Sequence, residues 1–153
     1  MDDTIRILYV DDEVNNLQSF KANFRREFKV FIAESGAEGL EIFKKEDINI
    51  VLTDQRMPEM TGIEFLVEVQ KINPEPIRIL ITGYSDINAV IDAINRGQVY
   101  RYMNKPWQNE EIIVTMKTAF EVFTLRRKNR ELMDELKKAN EQLEFLLRQK
   151  LLS

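Results

Sequence analysis

Neither cysteine nor histidine occurs in the 153 residues. The first absence excludes disulfides, thiol nucleophiles and cysteine-ligated zinc. The second excludes Ser-His and Cys-His catalysis and imidazole-ligated metals, and it means that the chain cannot itself offer a phosphohistidine. No apolar run exceeds a few residues, far short of the ~20 that a membrane-spanning helix needs. The N-terminus, Met1-Asp2-Asp3-Thr4, is acidic rather than signal-like, so no membrane association and a cytoplasmic location are expected. Positive charge is not in excess either. The 22 basic and 26 acidic residues leave a net charge of −4, which gives no general attraction to nucleic acid or to an anionic membrane. Glycine and proline are sparse, and neither occurs from Glu110 to the end. What is present, 44% apolar and 31% charged residues, fits one globular domain plus an exposed charged helix. There is no internal repeat and no low-complexity stretch.

Three short apolar runs end in charge. Asp11-Asp12 follow Ile5 to Val10, Asp54 follows Ile50 to Thr53, and Lys105-Pro106 follow Tyr100 to Asn104. Strands are expected near 5–10, 29–33, 50–53, 78–82 and 100–103. Helical patterns lie near 14–26, 35–45, 62–71 and 86–96, and a last helix starts near 109. Turn residues separate them: Ser35-Gly36, Met57-Pro58, Asn73-Pro74-Glu75-Pro76, Gly97 and Lys105-Pro106. The near-continuous apolar third and fourth strands predict a sheet covered on both faces. Right-handed crossovers then give an α/β, doubly wound, five-stranded parallel sheet of order 2-1-3-4-5. Ligands in such sheets bind beyond the carboxyl ends of the strands, so three carboxylates and one ammonium should converge there. Such a patch calls for a cation and an anion, most economically Mg²⁺ with a phosphoryl group. Taken alone, Asp11-Asp12-Glu13 serve equally well as a helix N-terminus, where acids are favoured. Asp54 has no helix directly after it.

The last helix would reach roughly 60 Å over about 40 residues. Its far half carries a heptad, with Val122, Asn129, Leu136, Leu143 and Lys150 at a and Leu125, Leu132, Ala139 and Leu146 at d. This predicts a homodimer through a two-stranded coiled coil, with Asn129 fixing a parallel register. The dimer residues expected are Leu125, Asn129, Leu132, Leu136, Leu143 and Leu146. A single amphipathic helix folded back on the domain is the alternative. The domain boundary falls at 123, with 124–153 as the coiled-coil extension.

Val10-Asp11-Asp12-Glu13, Thr53-Asp54-Gln55-Arg56-Met57-Pro58 with Gly62, Ile81-Thr82-Gly83 and Asn104-Lys105-Pro106 resemble the receiver domain of two-component response regulators. The resemblance spans about residues 4–120 and rests on several motifs in order rather than on any one. It implies the flavodoxin-like fold. The stretch Leu52 to Leu66 resembles receivers found ahead of cyclic-dinucleotide phosphodiesterase or related signalling outputs.

The resemblance implies that Asp54 is the phosphorylation site, taking a phosphoryl group from a sensor histidine kinase or a phosphotransfer protein. Asp12 and Asp54 would bind Mg²⁺ directly, Asp11 through water, and the backbone carbonyl of Arg56 would add a ligand. Lys105 would contact a phosphoryl oxygen, aimed by Pro106 across a cis peptide bond, and Gly62 would be structural. Thr82 and Tyr102 would form the switch, biasing a surface made by the fourth helix, fifth strand and fifth helix. Helix side chains near Asn15 to Phe24 should meet the kinase. Arg56 and Tyr84 flank the path of attacking water, so self-dephosphorylation should be slow, and the chain should be no enzyme beyond its own phosphotransfer and that loss. Trp107 is expected to open the last helix beside the switch surface.

Other classes fit less well. Phosphatases of the haloacid-dehalogenase type also use an aspartate and Mg²⁺, but resemble a pattern with a second acid two residues on, where this chain has Arg56. Arg126-Arg127-Lys128-Asn129-Arg130 prompts a DNA-binding reading, but Glu131, Asp134 and Glu135 follow at once, and about 30 residues cannot build a winged helix. The ending Leu151-Leu152-Ser153 has no cap, so a C-terminal output domain is expected to follow. A stand-alone regulator acting by protein contact is the alternative.

Overall fold

Hydrogen bonding between parallel strands organises the first unit of the chain. The computed structural model describes residues 4–83 and 87–153. The elements are β1 (Arg6–Val10), α1 (Val14–Phe24), β2 (Lys29–Ala33), α2 (Gly36–Lys45), β3 (Ile50–Thr53), α3 (Gly62–Ile72), β4 (Ile77–Thr82), α4 (Ile87–Asn95), β5 (Arg101–Asn104) and α5 (Asn109–Leu152). The five strands are parallel in the order β2-β1-β3-β4-β5, the flavodoxin-like order expected from the sequence.

Alternation along each strand sends side chains to opposite faces. Ile7, Tyr9, Ile50, Leu52, Ile79 and Met103 pack with Leu17 and Phe20 of α1 and Ile112 and Met116 of α5. Leu8, Val10, Val51 and Leu80 face Phe43 of α2, Phe65 and Val69 of α3 and Val90 of α4. Covered on both sides, β3 and β4 are buried at every position. Complete burial of one such Leu, Ile or Phe side chain stabilises the fold by about 1.5–3 kcal/mol.

The helices begin and end for local reasons. Ser35 Oγ accepts the Glu38 amide at the start of α2. Thr61 and Glu64 form a reciprocal capping box at α3. At α1 the N-cap Glu13 makes no side-chain cap bond; Asp11 Oδ1 accepts the Glu13 amide instead, at 2.9 Å. The same helix stops at Phe24, two residues early, where the Glu27 amide closes a tighter three-residue turn onto the Phe24 carbonyl at 3.0 Å. Gly97, at φ +73°, ends α4 one residue early, with the Gln98 amide donating to Ala93. The expected start of that helix at Asp86 lies outside the described residues.

Arg78 is the one charged residue of β4, and it is buried. Its guanidinium donates to the carbonyls of Pro74, Pro76, Gly97 and Gln98 at 2.9–3.2 Å, tying the turn before β4 to the turn before β5. Buried charge is tolerated when its donors are matched in this way.

The chain divides into two units, residues 1–123 and 124–153. The second is helical up to Leu152, and Leu125, Leu132, Leu136, Leu143 and Leu146 are each more than half exposed along it. Among the described residues no helix is long and apolar enough to cross a membrane.

Candidate functional site

Backbone pairing continues just past the strand ends, and this places the charged groups. The Asp11 amide donates to Ala33 at 3.1 Å, the Asp54 amide to Val10 at 2.9 Å and the Lys105 amide to Thr82 at 3.0 Å. Asp11 and Asp54 therefore leave adjacent strands at the point where the strand order reverses, the usual ligand crevice of such sheets. Carboxylate oxygens of Asp11, Asp12 and Asp54 all lie within 4.8 Å of one another.

Asp11 is fully buried and saturated by protein donors. Its Oδ2 accepts from the Tyr9 hydroxyl at 2.6 Å, Lys105 Nζ at 2.8 Å and Asn16 Nδ2 at 3.2 Å, while Oδ1 takes the Glu13 amide. Burial alone would raise its pKa, yet Lys105, Tyr9 and that amide together hold it below the ordinary 3.8. Asp54 is balanced the other way. Burial raises its pKa, Lys105 lowers it, and the neighbouring Asp11 charge tips the result above the usual value. Asp54 Oδ1 accepts the Gln55 amide at 2.9 Å and stands 3.5 Å from Lys105 Nζ. Burial works against the Lys105 charge, but its contacts with Asp11 and Asp54 raise its pKa on balance. Asp12 is exposed and makes no side-chain hydrogen bond among those of the described residues.

A groove of about 890 Å³ opens over this cluster, floored by Asp12, Asp54 and Lys105 and walled by Asn16, Ser19 and Asn23 of α1. Thr82 and Arg56 line it too, Thr82 buried at the end of β4 and Arg56 exposed. The Lys105–Pro106 peptide is cis. Gly62 opens α3 so close to the strand end that an added Cβ would run into the Asp54 carbonyl oxygen.

Tyr102 is half-buried on the sheet face of α2, α3 and α4, one position before Met103, which faces the other side. Trp107 departs from expectation. It precedes α5 by two residues and sits edge-on to Tyr9 and Phe20, on the α1 side rather than with Tyr102. Tyr84 lies outside the described residues. Leu125, Asn129, Leu132, Leu136, Leu143 and Leu146 belong to the second unit. Two site contacts went unread in the sequence, those of Tyr9 and Asn16. Tyr9 stands two residues before Asp11, so strand alternation puts both side chains on one face.

The sequence profile of the response regulator receiver domain matches residues 7–117. The chain belongs to this family, that of the receivers of two-component response regulators. It is 33% identical over 121 residues to the hydrogenase transcriptional regulatory protein HoxA of Bradyrhizobium diazoefficiens, covering 79% of this chain and 25% of that protein. It thus spans about a quarter of the length of this curated relative. Among solved structures, an adenylate cyclase from Rhodopirellula baltica superposes with TM-score 0.82 at 34% identity, covering 86% of this chain and 98% of that one. A response regulator receiver domain protein from Clostridium thermocellum gives TM-score 0.74 at 32% identity, with 79% and 98% covered. HoxA and the similar GlrR of Escherichia coli, 32% identical over 116 residues, are transcriptional regulatory proteins.

Proposed function

We propose that residues 1–123 act as a phosphoacceptor, with Asp54 as the nucleophile. The observation that carries this reading is the meeting of Asp11, Asp12, Asp54 and Lys105 at the carboxyl ends of β1, β3 and β5. An Asp54 oxygen attacks the phosphorus of a partner's phosphohistidine. The new P–O bond forms as the P–N bond breaks, and the bonding pair stays with the imidazole nitrogen. A carboxylate is a weak nucleophile, so positioning and charge neutralisation supply the rate.

The donor set fits Mg²⁺, a hard cation that prefers oxygen and keeps several waters. Asp12 is open and Asp54 half committed, so these two would ligate it together with the Arg56 carbonyl. Asp11, with both oxygens occupied by protein donors, suits a water-bridged role. Bound there, Mg²⁺ would neutralise charge that builds on the phosphoryl oxygens. Lys105 would hold another of those oxygens, and Thr82 would donate its hydroxyl as Tyr102 turns inward. The surface of α4, β5 and α5 then changes. Arg56 would hinder attacking water and slow the loss of the group.

The partner would be a cytoplasmic sensor kinase or phosphotransfer protein entering the groove beside Asn16, Ser19 and Asn23. Residues 124–153 would pair two chains in a parallel coiled coil, with Asn129 matched to Asn129, and relay the switch to an output domain or a partner. Intact mass after acetyl phosphate and Mg²⁺ tests the central claim. One phosphoryl group should add to the wild type and none to Asp54→Asn; equal addition to both would sink it.

A further inference from the structure

Under the acidic groove lies a tyrosine that the phosphotransfer chemistry does not use. Tyr9 is fully buried, and its hydroxyl donates to Asp11 Oδ2 at 2.6 Å. Burial and the Asp11 charge push its pKa far up, so the hydroxyl remains a donor. Its ring stands 4.8 Å from Phe20 and 6.1 Å from Trp107, the latter edge-on at 86°. Trp107 also meets Phe20 edge-on, at 5.7 Å. Edge-to-face aromatic pairs of this kind favour particular orientations, not burial alone.

These contacts close on themselves. Lys105, two residues before Trp107, reaches the same Asp11 oxygen that the Tyr9 hydroxyl holds. Trp107 in turn precedes α5 by two residues and packs in one cluster with Ile112 and Met116. A plain buried tyrosine needs only some acceptor for its hydroxyl. Here the acceptor is a carboxylate of the site, and the ring rests on the segment that aims the site's lysine.

Resting on the proposed Mg²⁺ reading, we infer that Tyr9 is a positioning residue that holds Asp11 and carries the state of the acidic groove through Trp107 to the start of α5. This route runs on the α1 and α5 face of the sheet, opposite the face on which Tyr102 packs. Changes in Asp11 on loading move the tyrosine hydroxyl, and the edge-on ring pair passes that movement on.

Trp107 is the sole tryptophan of the chain and also lines the groove, so its emission reports on this one ring, and the variants separate the route through Tyr9 from direct contact. The test is a Mg²⁺ titration of the full chain followed by calorimetry and by Trp107 fluorescence, for the wild type, Tyr9→Phe and Asn16→Ala. The wild type should give heat and an emission change with one midpoint. Tyr9→Phe should keep the heat, with affinity weakened by about tenfold, the low end for outer-shell changes, but lose most of the emission change at saturation. Asn16→Ala removes another donor from the same oxygen without touching the ring pair, and should keep that change. Heat without an emission change in the wild type overturns the inference and needs no variant. So does a full response in Tyr9→Phe, or equal losses in both variants. No heat in the wild type defeats the Mg²⁺ reading itself, and this inference with it.

Discussion

Lys105 Nζ lies 2.8 Å from Asp11 Oδ2 and 3.5 Å from Asp54 Oδ1. The ammonium therefore leans on the more buried acid, and Asp54, the proposed nucleophile, has the looser partner. Replacing Lys105 by Met leaves Asp11 with its other donors but strips the cluster of its cation. Labelling of Asp54 by acetyl phosphate should slow by about 10²-fold, the usual cost of losing one charge-stabilising group. Urea unfolding should show a loss of about 2 kcal/mol, since a buried anion has lost a charged partner.

Asp54 and Asp11 pull stability in opposite directions as pH changes. Folding raises the Asp54 pKa above 3.8, so its ionised form costs stability at neutral pH, and this cost fades as pH falls through the folded pKa and vanishes below 3.8. Folding lowers the Asp11 pKa, so its contribution is full above 3.8 and disappears on acidification through the folded value. In magnesium-free buffer, Asp54→Asn should be more stable than wild type at pH 7. Thermal melts across pH should show that advantage shrinking toward zero on the acid side. An advantage that stays constant with pH contradicts this account.

Magnesium should stabilise the native chain by mass action. At a hundredfold excess over its dissociation constant the gain is about 2.7 kcal/mol. Differential scanning fluorimetry should show Tm rising with the logarithm of Mg²⁺ concentration. Asp12→Asn, which removes the open carboxylate, should flatten that rise, whereas sodium at matched ionic strength should not reproduce it.

The tail makes a separate prediction. Sedimentation should find dimers for the full chain and monomers for residues 1–123. Leu136→Asp with Leu143→Asp should give monomers whose first unit melts at an unchanged temperature. A dimer that survives both changes moves the contact to the first unit.

Much of the fold could be read in the sequence because its strands are short, apolar and punctuated. Ile50-Val51-Leu52-Thr53 followed by Asp54 marks both a doubly covered strand and its functional end, and β3 occupies those four residues. Asp11, Asp12 and Lys105 were legible in the same way. Boundaries near Arg25 and Tyr100 were not, because they depend on which carbonyl each amide finds; the Tyr100 amide bonds to Arg78, yet β5 starts one residue later. Tyr9 hid inside an apolar run, where its ring satisfies the same pattern as leucine and only its hydroxyl partner sets it apart. The start of the last helix near 109 was legible and α5 begins at Asn109, but the side of the sheet that the Trp107 ring meets was not, because no local pattern fixes it.

Gly62 has a bearing on how this chain could be altered. The first residue of α3 presses its bare backbone against the carbonyl that follows β3, with Leu80 crowding the same space. The location of Asp54 is thus set partly by an atom that is missing. Libraries that redesign the loop between Gln55 and Thr61 must keep Met57 in the core, and the glycine that follows the loop admits no larger substitute without displacing the Asp54 backbone.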